Sequence, residues 1–400
     1  MTAAGVETLR RYPDRGQLEG RLAEKMGLPA ERVLVTAGAD EALDRICRVY
    51  LDRARTLIVA TPTFEMIPRY AGLAGARVLE TPWSSGAYPV DAVIDLADER
   101  TGVIAVVSPN NPTGAVVTAE DLSRLSEAVP QALLLVDLAY GEFADEDLMP
   151  TVLGLPNAVG VRSLSKAWGL AGLRVGYVAG PTSLVSPLRA AGGPYAVAGP
   201  SLLVAAAALD DRARVESFVQ EIRRERTLLE ADLTELGAHP VPSQGNFVYA
   251  GFPDPVWVRD GLAGLGIAVR LFWEGKGPGP LRISCPGQES SFRRLRQSLR
   301  TVLDPEALLF DMDGVLADVS GSYRRAILET AGSFGEEFSP EDVARAKRRL
   351  GSNNDWILTQ GLLAERGLHI DLEEVTARFQ EIYSNLAAGE KLIPTKALLL

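Results

Sequence analysis

Apolar and polar positions along the chain change period repeatedly, and each change marks an element. Leu18, Leu22 and Met26 recur every four residues, which predicts a helix inside a polar stretch from 5 to 27. Arg32 to Val35 is a short β-branched run, followed by Leu43, Ile46, Cys47 and Tyr50 at i, i+3, i+4 and i+7. That stripe predicts a one-sided helix starting near Asp40. Further strands are read at 57–60, 77–80, 103–107, 133–136, 158–161 and 174–178. Val103 to Val107 is apolar without alternation, as expected of a strand covered on both faces. Strands alternating with helical stretches, each ending in polar or turn residues, predict an open α/β sheet with its ligand at the carboxyl ends of the strands.

Beyond this region the pattern changes. The Gly/Ala/Pro-rich run Ala190 to Gly199 predicts a linker, Leu202 to Leu236 a long helical region, and 241–252, 267–272 and 281–284 the short strands of a smaller domain. Asp304 to Glu306 reads as a boundary, and 322–389 as helical and charged. The expected organisation is an N-terminal segment (1–30), a large domain (31–190), a small domain (200–303) and a further module (304–400). No internal repeat stands out.

Composition narrows the classes. The 400 residues exceed what one core normally serves, and 46% hydrophobic with 23% charged residues describes an ordinary globular chain. A net charge of -11 argues against a nucleic-acid partner. With no apolar run of about 18 residues and no signal-peptide core at the N-terminus, no membrane partner is expected and the location is read as cytoplasmic. Cys47 and Cys285, far apart, support neither a disulfide framework nor a metal site. His239 and His369 sit in no triad or metal spacing, so proton transfer falls to Lys, Asp, Glu, Tyr or a cofactor.

Candidate chemistry centres on Ser163 to Arg174, Ser-Leu-Ser-Lys-Ala-Trp-Gly-Leu-Ala-Gly-Leu-Arg. One lysine, Lys166, lies among the hydroxyls of Ser163 and Ser165, with Arg174 eight residues on. That set suits an aldehyde cofactor carrying a phosphate: the lysine reaches the aldehyde, while hydroxyls and arginine offset the dianion. Thr36 to Glu41, a glycine-bearing turn feeding a helix, is a second anion site. Asp137 closes a strand where a buried carboxylate could hold a pyridine nitrogen protonated. Arg270 and Arg282 could each fork a carboxylate or phosphate. Taken singly, each has a plainer reading: a solvated lysine, a capped helix, a loop aspartate, surface arginines. Farther on, the apolar Leu308 to Phe310 delivers Asp311-Met312-Asp313-Gly314, an arrangement in which one carboxylate attacks a phosphoryl group, the second protonates the leaving group and Mg²⁺ offsets charge.

Together, residues 10 to 300 resemble the histidinol-phosphate aminotransferases, a branch of the fold-type I pyridoxal-phosphate enzymes. The resemblance rests on Arg11-Tyr12-Pro13-Asp14, Gly38-Ala39-Asp40-Glu41, Pro62-Thr63-Phe64, Asn110-Asn111-Pro112-Thr113-Gly114, Asp137-Leu138-Ala139-Tyr140, Ser163 to Lys166 with Arg174, and Leu281-Arg282-Ile283-Ser284. It implies a large α/β/α domain with a mostly parallel sheet and a small α+β domain. It makes Lys166 the Schiff-base lysine and proton carrier, with Asp137 on the pyridine nitrogen, Tyr140 and Asn111 on the ring hydroxyl, and Phe64 stacked on the ring. Ala39, Asp40, Ser163, Ser165 and Arg174 would hold the phosphate, joined by Tyr12 of the partner subunit in a homodimer. Arg282, supported by Asn246, would take the carboxylate of glutamate or 2-oxoglutarate, and Arg270 the phosphate of the imidazole substrate. The expected reaction is histidinol-phosphate transamination. An aromatic-amino-acid aminotransferase or a threonine-phosphate decarboxylase-like lyase would use the same core residues. Two departures stand out: eleven residues precede Tyr12, where the family has a longer arm, and Leu138 replaces a common acid. Residues 304 to 400 resemble the start of a haloacid-dehalogenase-superfamily phosphatase with a helical cap, with Asp311 and Asp313 beside Mg²⁺. The later motifs of that superfamily have no counterpart before Leu400, so no phosphatase activity is expected.

Overall fold

In the computed structural model, residues 3–274, 277–307, 316–319, 321–350 and 354–393 are described, and the chain forms two compact units that divide after Pro305.

The first unit is built on a seven-stranded sheet in the order β1-β7-β6-β5-β4-β2-β3. The strands are β1 (Val33–Thr36), β2 (Thr56–Thr61), β3 (Arg77–Pro82), β4 (Thr101–Val107), β5 (Leu133–Asp137), β6 (Ala158–Ser163) and β7 (Gly176–Ala179). The pairs β2–β3, β2–β4, β4–β5 and β5–β6 are parallel, while β7 runs antiparallel to both β6 and β1. The unalternating apolar runs are explained by burial on both faces. Ile104, Val106, Leu134 and Val136 enter one core cluster, and Val103, Ala105, Val107, Leu133 and Leu135 the other. Each of these valines, leucines and isoleucines, fully removed from water, contributes about 1.5–3 kcal/mol. Register places Val107 opposite Asp137 and Asp137 opposite Val161, so the carboxyl ends of β4, β5 and β6 form one edge.

The same unit carries a second, antiparallel sheet in the order β10-β11-β9-β8, with β8 (His239–Val241), β9 (Phe247–Gly251), β10 (Arg270–Glu274) and β11 (Gly277–Ser284); this sheet and its helices are called the small domain below. Helices Arg212–Glu235, Pro255–Gly264 and Glu289–Leu303 pack on it through Ile222, Leu229, Leu262, Phe292 and Leu299. Ala139, Tyr140, Phe143 and Ala167 join that same cluster, so the two turns that follow β5 and β6 are anchored in the small-domain core.

Several elements differ from the sequence expectation. Ala3–Arg10 is helical within the stretch read only as polar. The 190–199 run is shortened by helices Thr182–Ala191 and Gly199–Ala208 on either side. The stretch 241–252 splits into two strands: Pro242 has no N–H for a ladder, and the intervening loop docks elsewhere, with Gln244 N–H donating to Gly114 O at 2.8 Å and Ser243 Oγ to Phe247 O at 2.6 Å. The long helical region breaks before Asp211, whose side chain accepts from Arg214 N–H and starts the next helix.

The second unit holds the expected charged helices, Tyr323–Ser333, Pro340–Leu350, Asp355–Glu365 and Leu372–Ala387. They enclose Ala326, Ile327, Leu358, Leu362 and Phe379. Asp311 and Asp313 lie outside the described residues. Among the described residues no helix is long and apolar enough to cross a membrane, and no group of three or more His, Cys, Asp or Glu could hold a metal ion.

Candidate active site

The carboxyl edge of β4, β5 and β6 opens into a cavity of about 90 Å³ lined by Ala39, Asp40, Phe64, Val107, Asn111, Asp137, Ala139, Tyr140, Ser163, Ser165, Lys166 and Arg174. Ten of these twelve are residues singled out from the sequence. Val107 and Ala139 are additional, and their signal was their place at the end of a motif-bearing strand.

One end of the cavity is an anion cradle. Helix Gly38–Tyr50 starts without a side-chain cap, leaving N–H groups of its first turn for a ligand. Gly38 has φ +77°, a backbone that favours glycine, and a Cβ there would stand 2.6 Å from Arg174 Nη2, so any side chain would also push the guanidinium aside. Arg174 itself has left-handed backbone, φ 52°. Its Nη2 donates to Asp40 Oδ2 at 2.8 Å and its Nη1 to Ser165 Oγ at 3.3 Å, while Ser163 Oγ accepts from Ser165 N–H at 3.2 Å.

At the other end is Asp137, buried at the tip of β5. Burial pushes its carboxyl up to about 6, with Asp40 adding to the shift and the Ala139 N–H and Lys166 opposing it. The Ala139 N–H donates to Oδ1 at 3.0 Å. Lys166 Nζ stands 5.0 Å from the centroid of the Tyr140 ring, and that ring packs edge-on against Phe247 at 5.1 Å. Among the described residues Lys166 has no ion-pair partner.

The small domain contributes Arg282. Its Nη1 donates to Asn111 Oδ1, its guanidinium lies 5.0 Å over Phe247, and its buried Nε has no partner among the described residues. Arg270 is the register partner of Arg282 but lies outside the cavity lining, 56% exposed and paired with Glu65 at 3.3 Å. Asn246 accepts the Cys285 N–H on its carbonyl at 2.9 Å and does not line the cavity. Tyr12 is also elsewhere: 79% exposed, stacked on Tyr195 at 4.5 Å and bordering a separate surface hollow of about 430 Å³. Both cysteines are buried and free, and burial pushes the Cys47 thiol up to about 12.

A group the sequence reading missed lies behind the site. Arg162, in β6 next to Ser163, is buried and pairs with Glu142 at 3.3 Å and with Asp147. Trp168 Nε1 donates to the same Glu142 Oε1 at 3.3 Å. The available signal was a charged residue inside the otherwise apolar run Ala158–Ser163.

The order and direction of the strands belong to the α/β fold that comparison with known proteins also finds. The family model for aminotransferase class I and II matches residues 3–299, and the chain belongs to that family. It is 35% identical over 294 residues to the histidinol-phosphate aminotransferase of Paracoccus denitrificans, covering 72% of this chain and 80% of that one. It is 34% identical over 245 residues to histidinol-phosphate aminotransferase 1 of Bacillus cereus, covering 60% of this chain and 66% of the relative's length. The solved structure of histidinol-phosphate aminotransferase from Sinorhizobium meliloti in complex with pyridoxal-5'-phosphate shares the fold, with a TM-score of 0.69 at 23% identity, over 76% of this chain and 85% of that one.

Proposed function

We propose that the protein is a pyridoxal-phosphate-dependent transaminase that exchanges an amino group between glutamate and a phosphorylated imidazole substrate, the histidinol-phosphate transamination. The observation that carries the reading is the convergence of Lys166, Asp137 and Arg174 on one cavity. The residues fit the cofactor on the structure's own terms. Gly38 leaves open the space a side chain would fill against Arg174, and among the described residues the buried Asp137 carboxyl has no ion pair, a place that a protonated pyridine nitrogen would take.

When bound, pyridoxal phosphate supplies an electron sink for negative charge at the substrate α-carbon. Ala39, Asp40, Ser163, Ser165 and Arg174 would hold its phosphate, and Phe64 would lie against its ring. Asp137 would keep the ring nitrogen protonated, and Tyr140 and Asn111 would hydrogen-bond the ring hydroxyl. Lys166 would hold the aldehyde carbon and carry the proton of the α-carbon on its Nζ. Arg282 receives the substrate carboxylate. For the substrate phosphate, Arg270 must leave Glu65, an exposed pair worth only about 0–1 kcal/mol.

The domain reading follows: a cofactor domain at 31–190, a small domain at 200–303, and a C-terminal module read as the start of a haloacid-dehalogenase-like phosphatase with Asp311 and Asp313. A homodimer completes each site with Tyr12 of the partner subunit. The exposed Tyr12, Tyr195, Leu203 and Val204 support that arrangement as an apolar surface.

The test is the absorbance spectrum of the purified protein before and after L-histidinol phosphate, beside Lys166→Ala. We expect a visible cofactor band that the substrate converts in the parent and not in the variant. Conversion by phenylalanine alone moves the assignment to aromatic transamination, and carbon dioxide release without a 2-oxo-acid acceptor moves it to a lyase. A parent without any cofactor band sinks the reading of Lys166.

A further inference from the structure

The turn that follows β5 and the loop that follows β6 each carry one member of the lysine–tyrosine pair, and a buried charged group joins the two. Glu142 is two residues after Tyr140, and Trp168 two residues after Lys166. Both meet at one oxygen: Glu142 Oε1 accepts from Trp168 Nε1 at 3.3 Å and faces Arg162 Nη1 at 3.3 Å. Arg162 comes from β6 on the sheet face opposite Ser163, with a side chain 5% exposed. Its guanidinium is wedged beneath the Tyr140 turn, since a Cβ at Gly141 would lie 2.7 Å from Arg162 Nη1. The second Arg162 amine reaches Asp147, and Tyr177 on β7 is the register partner of Arg162.

Stability alone does not account for this group. Burial works against the charge on Arg162, which Glu142, Tyr177 and Asp147 together restore, and burial also raises the Glu142 carboxyl. Arg162 Nε and Glu142 Oε2 both lack a hydrogen-bond partner among the described residues. A buried, incompletely satisfied ion pair is often no more stabilising than apolar side chains of the same volume. What it does supply is direction: backbone bonds hold only the first residues of the two turns, Leu138 N–H to Val161 O at 2.8 Å and Leu164 N–H to Val175 O at 2.9 Å, and one carboxylate oxygen links them farther out. Both turns meet the small-domain core through Tyr140 and Ala167, which apolar packing orients only loosely.

We propose that Glu142 is a positioning residue which, through Arg162 and Trp168, sets where the Lys166 amine stands relative to Tyr140 and Asp137. The inference rests on the reading of Lys166 as the cofactor lysine. Losing the Trp168 hydrogen bond frees the lysine loop from the tyrosine turn, and losing the Glu142 charge loosens both. A displacement well under an ångström at Nζ suffices to change the proton affinity of the lysine's cofactor adduct and the rate of proton transfer.

The experiment uses the cofactor-loaded full chain as Trp168→Phe, which removes the indole N–H with one ring of the indole, and Glu142→Gln, which is near-isosteric. For each, the thermal midpoint, the pH midpoint of the cofactor absorbance band, and kcat and KM for histidinol phosphate are measured. In Trp168→Phe we expect a thermal midpoint within about 4 °C of the parent. The pH midpoint of the band should move by about half a unit or more, and kcat should fall roughly tenfold with KM within about threefold. Glu142→Gln should show the same signature, enlarged. Unchanged pH midpoints and kcat in both variants, or kcat losses accompanied only by loss of folded protein, would overturn the inference. A parent that shows no cofactor band instead defeats the underlying reading of Lys166, and the two failures are separated by that control.

Discussion

At the residue scale, Asp137 has the clearest energetic consequence. Its carboxyl titrates near 3.8 in an unfolded chain and is raised to about 6 in the folded one, chiefly by burial. Below about pH 4 both states hold the proton and the residue adds no penalty, whereas above about pH 6 the cofactor-free fold carries a buried anion. Stability from this group is therefore present at low pH and lost as pH rises from about 4 to about 6, a difference of about 3 kcal/mol. Asp137→Asn, which keeps the acceptor for Ala139, should raise the thermal midpoint of the cofactor-free protein at pH 7.5 and raise it by only about a third as much at pH 4.5. Equal shifts at both pH values would count against a buried anion. Most residues of the cavity were legible in the sequence because the motifs are local: Ser163, Ser165, Lys166 and Arg174 lie within twelve residues. Glu142, Arg162 and Trp168 were not, because their meeting depends on which sheet face Arg162 occupies, a matter of register that no single stretch encodes.

Among elements, the Gly38 turn is one that disfavours a side chain. Its positive φ and the 2.6 Å approach of Arg174 both oppose a Cβ. Gly38→Ala should lower the stability of the cofactor-free protein by about 1–3 kcal/mol and weaken pyridoxal-phosphate binding roughly tenfold, read by thermal melting and by equilibrium dialysis. Unaltered cofactor affinity would place the phosphate elsewhere. The strands themselves were legible from their apolar runs, and most ends shifted by only a few residues. Strand direction was not: nothing in the side chains of Gly176–Ala179 marks it as reversed, and its reversal goes with a twelve-residue connection after Ser163 that holds no crossover α-helix. The helix Ala3–Arg10 escaped notice because eight residues with little apolar periodicity carry too weak a signal.

On the scale of the whole molecule, each unit encloses its own apolar clusters. A chain ending at Pro305 should therefore retain the cofactor band and a cooperative thermal transition, checked by absorbance and calorimetry; loss of both would mean that the first unit cannot fold alone. The order of the strands carries a further consequence for synthesis. Within the sheet β1 touches only β7, Val33 facing Ala179 and Thr36 facing Gly176. On the ribosome, the segment that leads into the Gly38 turn emerges early and has no strand to join until β7 has also left the exit tunnel. The nascent chain thus keeps the Gly38 turn unanchored through the synthesis of six of the seven strands, and the last strand to arrive locks the edge of the sheet.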